Sequence, residues 1–249
     1  MTLFDRKLCG VFSEIFRSAR RSNRYPAMNT RRFFLTLATC AATWPTSSAF
    51  AADPAPAGKT DPAPTPTDKK METVTLATGC FWCTEVILKR TKGVQSATSG
   101  YTNGKTPNPT YDDVCTGLSG YAEAVEVVFD PTVLPFETLA HLFFEMHDPT
   151  TLNRQGADRG TQYRSGIFYH TDEQKAVALK VKAEADKNGK FSSPIVTEIT
   201  RAEKFYKAEG YHQDYFDKNV PNKTGNYRYC QSSTLPKLKK LGLLKPSDE

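Results

Sequence analysis

Thr73-Val74-Thr75-Leu76-Ala77-Thr78-Gly79-Cys80-Phe81-Trp82-Cys83-Thr84-Glu85-Val86-Ile87-Leu88 decides how the chain is to be read. Thr73 to Ala77 alternates polar and apolar residues, the period of a strand entering a core. Gly79 marks a tight turn. Thr84 to Arg90 reads as a helix ending near Gly93. Cys80 therefore stands where a strand hands over to a helix N-terminus. Unpaired amide groups and the helix dipole favour an anion there. A thiol so placed is expected to have a depressed pKa and to be nucleophilic near neutral pH. Cys83 lies three residues on, at a recognised redox spacing.

Outward from this stretch, strand and helix signals alternate. Val94 to Tyr101 reads as a strand and Asn103 to Pro109 as a turn-rich loop. Tyr121 to Phe129 reads as a strand stopped by Asp130-Pro131. Pro135 to His147 has helical spacing in Phe136, Leu139, Phe143 and Met146. His147 to Gly160 is a polar loop, and Arg164 to Tyr169 a strand. Thr171-Asp172-Glu173-Gln174 has the form of a capping box, opening a helix to about Lys187. Pro194 to Thr200 is a further strand, and Tyr206 to Asn219 a helix. Beyond Pro221 the tail is read as irregular, with basic Lys237 to Lys240. Strands alternating with helices predict an α/β (α+β) two-layer sandwich.

The 249 residues, 39% hydrophobic and 24% charged, suit one globular domain with extra segments. Residues 1–27 are basic and irregular. Met28 opens a basic segment with Arg31-Arg32, an apolar run from Phe33 to Ala42, and Ala49-Phe50-Ala51, which together have the form of an export signal. The apolar run is too short and interrupted for stable membrane insertion. Thr30 to Leu35 fits a twin-arginine signal, although Thr36 stands where a basic residue often follows; an ordinary Sec signal is the alternative. The expected leader is 1–51, with Met28 the expected true start and cleavage after Ala51. A Pro-rich tether at 52–70, a catalytic domain at 71–240 and a tail at 241–249 follow. The chain is expected to be exported to the periplasm.

The formal net charge is +6. Residues 1–51 hold eight of the 33 basic residues and two of the 27 acidic ones, leaving 25 of each in the remainder. The basicity belongs to the leader and gives no argument for nucleic acid binding. Cys9 and Cys40 leave with it; Cys80, Cys83, Cys115 and Cys230 remain.

Gly79-Cys80-Phe81-Trp82 resembles the active-site signature of the A-type peptide-methionine (S)-S-oxide reductases. The likeness continues through Asn108-Pro109-Thr110-Tyr111, Ala122-Glu123-Ala124-Val125, His147-Asp148-Pro149, Asp158, Gly160-Thr161-Gln162-Tyr163-Arg164-Ser165 and Tyr211-His212-Gln213, in the family's order. It covers roughly residues 72 to 240, in a Gly-Cys-Phe-Trp-Cys subtype. It implies a mixed sheet with packed helices and a ferredoxin-like core. It implies thiol-dependent reduction of methionine-(S)-sulfoxide, free and in proteins, through a cysteine sulfenic acid and an intramolecular disulfide. Oxidised proteins or peptides would be the substrates of a monomer. No cofactor or metal is implied; the reductant would be external, a thioredoxin-like protein or dithiothreitol.

Sulfoxide reduction needs a nucleophile, an acid, a methyl pocket and a way to discharge the oxygen. Cys80 is the candidate nucleophile and would become a sulfenic acid. By the resemblance, Phe81 and Trp82 wall the methyl pocket, and Glu123 is the acid, its pKa raised in an apolar site. Tyr111 and Tyr163 are candidate donors to the sulfoxide oxygen. Asp158 would hold substrate and ordered water, and His212 would serve recycling. Tyr121 stands where the family often has His, and Gly210 departs from the usual residue before Tyr-His-Gln. Cys83 and Cys230 are both candidate resolving thiols, Cys83 ahead for proximity, with a relay between them open. Cys115 reads as buried. The rival readings are a thioredoxin-like disulfide oxidoreductase using Cys80 and Cys83, and a zinc module built on Cys80, Cys83, Cys230 and a His. A c-type haem is excluded at the motif level, since Thr84 follows Cys83.

Overall fold

A computed structural model describes residues 70–248. The expected leader, and all of the expected tether but its last residue, lie outside the described residues. The sheet is built from β1 (Glu72–Thr78), β2 (Val94–Thr102), β3 (Ala122–Phe129), β6 (Ser165–Tyr169), β7 (Glu198–Arg201) and β8 (Tyr206–Lys207). Its order is β7-β6-β1-β3-β2-β8. The pairs of β1 with β3, β1 with β6, and β2 with β3 are antiparallel. The four central strands thus have the order and sense of a ferredoxin-like core. A parallel β7 on one edge makes the sheet mixed, and a short antiparallel β8 closes the other. A separate hairpin pairs β4 (Arg154–Gln155) with β5 (Asp158–Arg159).

The helices are α1 (Phe81–Lys89), α2 (Tyr111–Cys115), α3 (Phe136–Met146), α4 (Asp172–Lys187), α5 (Tyr215–Asn219), α6 (Tyr227–Ser233) and α7 (Leu235–Lys240). Strand periodicity sorts the sheet's two faces. Val74, Leu76, Val125, Val127, Phe129 and Ile167 form one core with the apolar stripes of α1, α3 and α4. Ala77, Ala122, Ala124 and Phe168 point to the opposite face. Among the described residues, no helix is long and apolar enough to cross a membrane.

The expected loop from His147 to Gly160 carries the β4–β5 hairpin, and the expected strand from Pro194 is paired only from Glu198. Two further elements differ more. Residues 206–219 are not one helix: the segment adds β8 to the sheet, turns through 210–214, and is helical only in α5. Gly100 explains the strand. A Cβ there would meet the Phe205 ring at 2.3 Å and the Tyr206 carbonyl at 2.4 Å, so its absence lets β8 close on β2. The segment beyond Pro221 is not irregular, because α6 and α7 lie within it. Pro236 sits in the first turn of α7, where its missing N–H costs no helical bond. Leu238, on α7, is fully buried.

Candidate active site

Cys80 is the N-cap of α1. Gly79 before it has φ +94°, and a Cβ there would meet the Gln155 side chain at 2.6 Å. Glycine allows both the reversal and the approach of Gln155. Thr78 Oγ1 lies 2.6 Å from Thr84 Oγ1, and the Thr84 hydroxyl donates to the Cys80 carbonyl at 3.2 Å. The end of β1 and the first turn of α1 are thereby tied together.

Glu123 shares the parity of Val125, Val127 and Phe129 along β3, so it faces the helices and is 1% exposed. Its Oε2 accepts the Phe81 N–H at 3.1 Å, one of the otherwise orphan amides of α1. Burial pushes its pKa up to about 8; the Phe81 amide opposes this, and the charges of Asp158 and Cys83 add to it. The carboxyl thus keeps its proton at neutral pH, beside the first turn of α1.

Phe81 and Trp82 build an aromatic wall. The Trp82 indole stacks on Tyr215, with centroids 3.7 Å apart and planes 7° from parallel, and meets Tyr229 edge-on at 6.1 Å. Its Nε1–H donates to His212 Nδ1 at 3.0 Å. The His212 ring also lies 4.9 Å from Phe81 and 4.5 Å from Tyr111. His212 sits in the turn before α5 rather than on a helix, and is 1% exposed. Burial lowers its pKa to about 4, against the opposing charge of Glu209, so it is neutral. These contacts are those of a clamp on Trp82. The turn is itself held down: Glu85 of α1 accepts the Asp214 N–H at 3.0 Å, and Gln213 exchanges bonds of 3.1 and 2.9 Å with the Ser99 backbone. Glu209 accepts the Tyr101 hydroxyl at 2.8 Å and the Tyr111 N–H at 2.9 Å.

Tyr111 opens α2. Burial, then the charge of Glu123, then those of Cys115 and Tyr163, hold its phenol protonated. Tyr163 ends a buried 3-10 turn, Thr161–Tyr163, anchored where Thr161 donates to the Gly117 carbonyl at 2.9 Å. Asp158 lies on β5 and accepts the Tyr229 hydroxyl. Burial raises its pKa, while the Tyr229 hydroxyl bond and the charge of Lys237 pull it down. Tyr121 is buried and directs its hydroxyl away to the Thr106 carbonyl.

The thiols depart from the expectation for Cys80. Cys80 and Cys83 share a hydrogen bond, and both are buried. Burial drives the Cys80 thiol well above its ordinary pKa; the bond to Cys83, the Cys83 charge and the Glu123 charge add to this, and a bond to Tyr229 opposes it. Cys83 is lowered to about 6, first by its bond with Cys80 and against the cost of burial, with help from Lys237, Thr234 and Ser233. The negative charge of the pair therefore rests on Cys83, and the helix N-terminus does not by itself ionise Cys80. Cys83 Sγ is 2.9 Å from Thr234 Oγ1 and 3.6 Å from Ser233 Oγ, at the α6–α7 junction. Cys230 on α6 is fully buried, and its pKa is raised to about 12 by burial and then by the Cys83 charge, with a bond to Thr234 opposing. The same Thr234 hydroxyl thus connects Cys83 to Cys230. Cys115 is half-buried, not buried, and bonds to Tyr111 instead.

One fold region therefore gathers Cys80, Phe81, Trp82, Cys83, Tyr111, Glu123, Asp158, His212 and Cys230, with Tyr163 close enough to act on Tyr111. Sequence reasoning did not single out Tyr215, Glu209, Tyr229 or Thr234, and it noted Lys237 only as part of a basic cluster. The one signal was adjacency: Tyr229 precedes Cys230. Among the described residues, the group spaced to hold a cation is Glu137, His141 and Glu184 on α3 and α4, which contains no cysteine.

The family described as "Peptide methionine sulfoxide reductase" matches residues 72–244. The chain belongs to this family. It is 52% identical over 171 residues to the peptide methionine sulfoxide reductase MsrA of Sulfolobus acidocaldarius, covering 68% of this chain and 93% of that protein. It is 51% identical over 164 residues to the MsrA of Pasteurella multocida, covering 66% and 90%. Among solved structures it resembles reduced Mxr1 from Saccharomyces cerevisiae, with TM-score 0.57 and 40% identity over 60% of this chain and 86% of that one. It also resembles methionine sulfoxide reductase A of Corynebacterium diphtheriae, with TM-score 0.52 and 38% identity over 61% and 77%. The peptide methionine sulfoxide reductase fold is thus the α/β sandwich expected from the sequence.

Proposed function

We propose that this chain, a thiol-dependent methionine sulfoxide reductase, works through the Cys80–Cys83 pair with Glu123 as proton donor, on the (S)-epimer, in free methionine and in proteins. The observation that carries this is the neutral carboxyl of Glu123. It is bonded to the amide of the residue after Cys80, so acid and nucleophile share one helix N-terminus. Cys80 attacks the sulfoxide sulfur while Glu123 protonates its oxygen and the phenols of Tyr111 and Tyr163 support the developing charge. The substrate methyl lies against Phe81 and Trp82. Asp158, with Tyr229, holds the substrate's polar side. Methionine leaves, and Cys80 is left as a sulfenic acid. Cys83 attacks that sulfur, water leaves, and a Cys80–Cys83 disulfide forms. Cys230 relays the disulfide outward, and an external dithiol, thioredoxin-like in the cell or dithiothreitol in the assay, resets the enzyme.

The test uses purified protein with separate sulfoxide epimers and excess dithiothreitol. Conversion of the (S)-epimer alone supports the reading. Reduction of insulin disulfides without sulfoxide turnover would return the protein to the disulfide oxidoreductase class. Mass mapping after one turnover without reductant then shows whether Cys83 or Cys230 resolves Cys80.

Export to the periplasm belongs to the same proposal. It is supported by Arg31-Arg32, the apolar run to Ala42 and Ala49-Phe50-Ala51. Exported protein beginning at Ala52 is the expected result of N-terminal sequencing. Arg31→Lys with Arg32→Lys separates the routes, since unchanged export selects Sec.

A further inference from the structure

A chain of hydrogen bonds converges on Cys83. Thr234, fully buried, places its hydroxyl 2.9 Å from the Cys83 sulfur. The neighbouring Ser233 hydroxyl, at 3.6 Å, gives its proton to the Tyr229 carbonyl at 2.6 Å, so Thr234 is the donor that counts. Behind it, the Cys230 thiol bonds the same Thr234 hydroxyl. From the other side the Cys80 thiol bonds Cys83. Both Thr234 and Cys80 lower the Cys83 pKa, which makes each a donor to its sulfur. A hydroxyl has one proton, and Thr234, 2.9 Å from Cys83 and lowering its pKa, is assigned as giving it there, while Cys230 stays a thiol and Cys80 S–H also gives to Cys83. A sulfur that receives two donors and has no acceptor is a thiolate site.

We propose that Cys83 is the general base of the first chemical step: its sulfur, kept as the thiolate by the Thr234 hydroxyl, takes the Cys80 proton as Cys80 attacks the sulfoxide. This deepens the reading above and rests on it. The groups facing Cys83 favour the assignment. Cys80 and Cys230 face it as thiols, Lys237 of α7 supplies positive charge, and Glu123 of β3 and the Tyr229 phenol are neutral. A thiolate at about 6 is present at neutral pH, whereas Cys80 keeps its proton.

The step balances. The Cys80 sulfur donates an electron pair to the sulfoxide sulfur and its S–H bond breaks toward Cys83. The sulfoxide oxygen takes the Glu123 proton. Cys83 is then a thiol and Glu123 a carboxylate. Collapse leaves methionine, reduced by two electrons, and a Cys80 sulfenic acid, oxidised by two. When the Cys83 sulfur attacks Cys80, hydroxide leaves and combines with the Cys83 proton as water. One thiol and one thiolate have become a disulfide, Glu123 is left as the carboxylate, and the base has become the resolving nucleophile. Cys83 thus acts twice, and its loss is felt before any resolution is required.

The experiment is a single turnover by rapid quench, with reduced enzyme, methionine-(S)-sulfoxide and no reductant, scoring the first methionine across pH. Wild type should rise through an acid limb near 6, where Cys83 ionises. Cys83→Ser should form that first methionine about 10²-fold more slowly, the usual scale for a lost general base. Thr234→Val keeps both cysteines and nearly the same volume. Its acid limb should move to higher pH, with a deficit greatest at low pH, an effect that a merely structural role would not produce. A first turnover in Cys83→Ser within a few-fold of wild type, on the same acid limb, overturns the proposal. So does an acid limb that survives in Thr234→Val but vanishes in Asp158→Asn, which would make Asp158, through Tyr229, the base. Should Cys83→Ser fail to fold by circular dichroism, Thr234→Val alone decides. If wild type with excess dithiothreitol reduces no sulfoxide, the functional reading itself fails and not this assignment.

Discussion

At the scale of single residues, the site depends on two groups kept neutral by burial. Glu123 is the proposed acid, and its pKa of about 8 leaves it protonated through neutrality. Glu123→Gln keeps the shape and still offers an oxygen to the Phe81 amide, but has no proton to give. Sulfoxide reduction should fall about 10²-fold or more. The alkaline limb of the wild-type rate, falling as pH passes through about 8, should disappear; steady-state assays over pH check both. His212 is the other group. In His212→Leu the Trp82 indole N–H loses its acceptor inside the protein, at a cost of about 1–3 kcal/mol. Thermal unfolding should show that loss, and KM should rise more than kcat falls because the methyl wall loosens. Glu123 is one of two glutamates in β3, and a charge there reads first as facing solvent; the family motif made it legible, and the parity it shares with Val125 and Val127 explains its burial. The charge on Cys83 was not legible, because the hydroxyl that stabilises it comes from 151 residues away. A local helix-terminus argument sees Cys80 and misses Thr234.

At the scale of elements, β1, α1, β2, β3, α3, β6 and α4 were readable, since each has a strong period and clear stops. The C-terminal third was not. Phe205, Ala208, His212, Tyr215 and Phe216 recur at helical intervals, yet the bare Cα of Gly100 offers a closer seat, and β pairing wins for Tyr206 and Lys207. α6 and α7 hid behind Ser232-Ser233-Thr234, middling helix formers, where α6 packs on α1 and α7 on α6. That packing puts Cys230 within the reach of Cys83 through Thr234. Cys230→Ser should therefore leave the first methionine and the Cys80–Cys83 disulfide intact while slowing regeneration by a thioredoxin-like protein more than by dithiothreitol. Peptide mapping and steady-state rates with each reductant check this. A variant that stalls at a dimedone-reactive Cys80 would transfer the resolving role to Cys230.

At the scale of the whole molecule, the same buried groups make stability depend on pH from both sides. His147 closes α3 and joins it to the sheet: one ring nitrogen donates to the Phe143 carbonyl at 2.9 Å, and the other accepts from Ser165, 2.7 Å away, whose oxygen lies 2.7 Å from the Thr197 hydroxyl. Burial lowers its pKa from 6.5 to about 3, with the Phe143 carbonyl opposing, and that of His212 falls to about 4. Both folded values are depressed, so below pH 6.5 the unfolded chain binds more protons than the native one. Their contribution is present above about 6.5 and is lost as pH falls toward the folded values. Glu123 has the opposite sign. Its folded value is raised from 4.5 to about 8, so its contribution is present below about 4.5 and lost as pH rises through 8. The unfolding temperature should therefore fall on acidification below about 6.5, and this fall should be shallower in His147→Gln, which sacrifices stability at neutral pH by breaking the Phe143–Ser165 bridge. Glu123→Gln should flatten the decline between about 6.5 and 8 and steepen the acid fall between about 4.5 and 6.5, where the Glu123 contribution offsets that of the histidines. Calorimetric scans of wild type and both variants decide the matter. An acid decline unchanged in His147→Gln would mean that His147 is not the group whose protonation loosens the joint between α3 and β6.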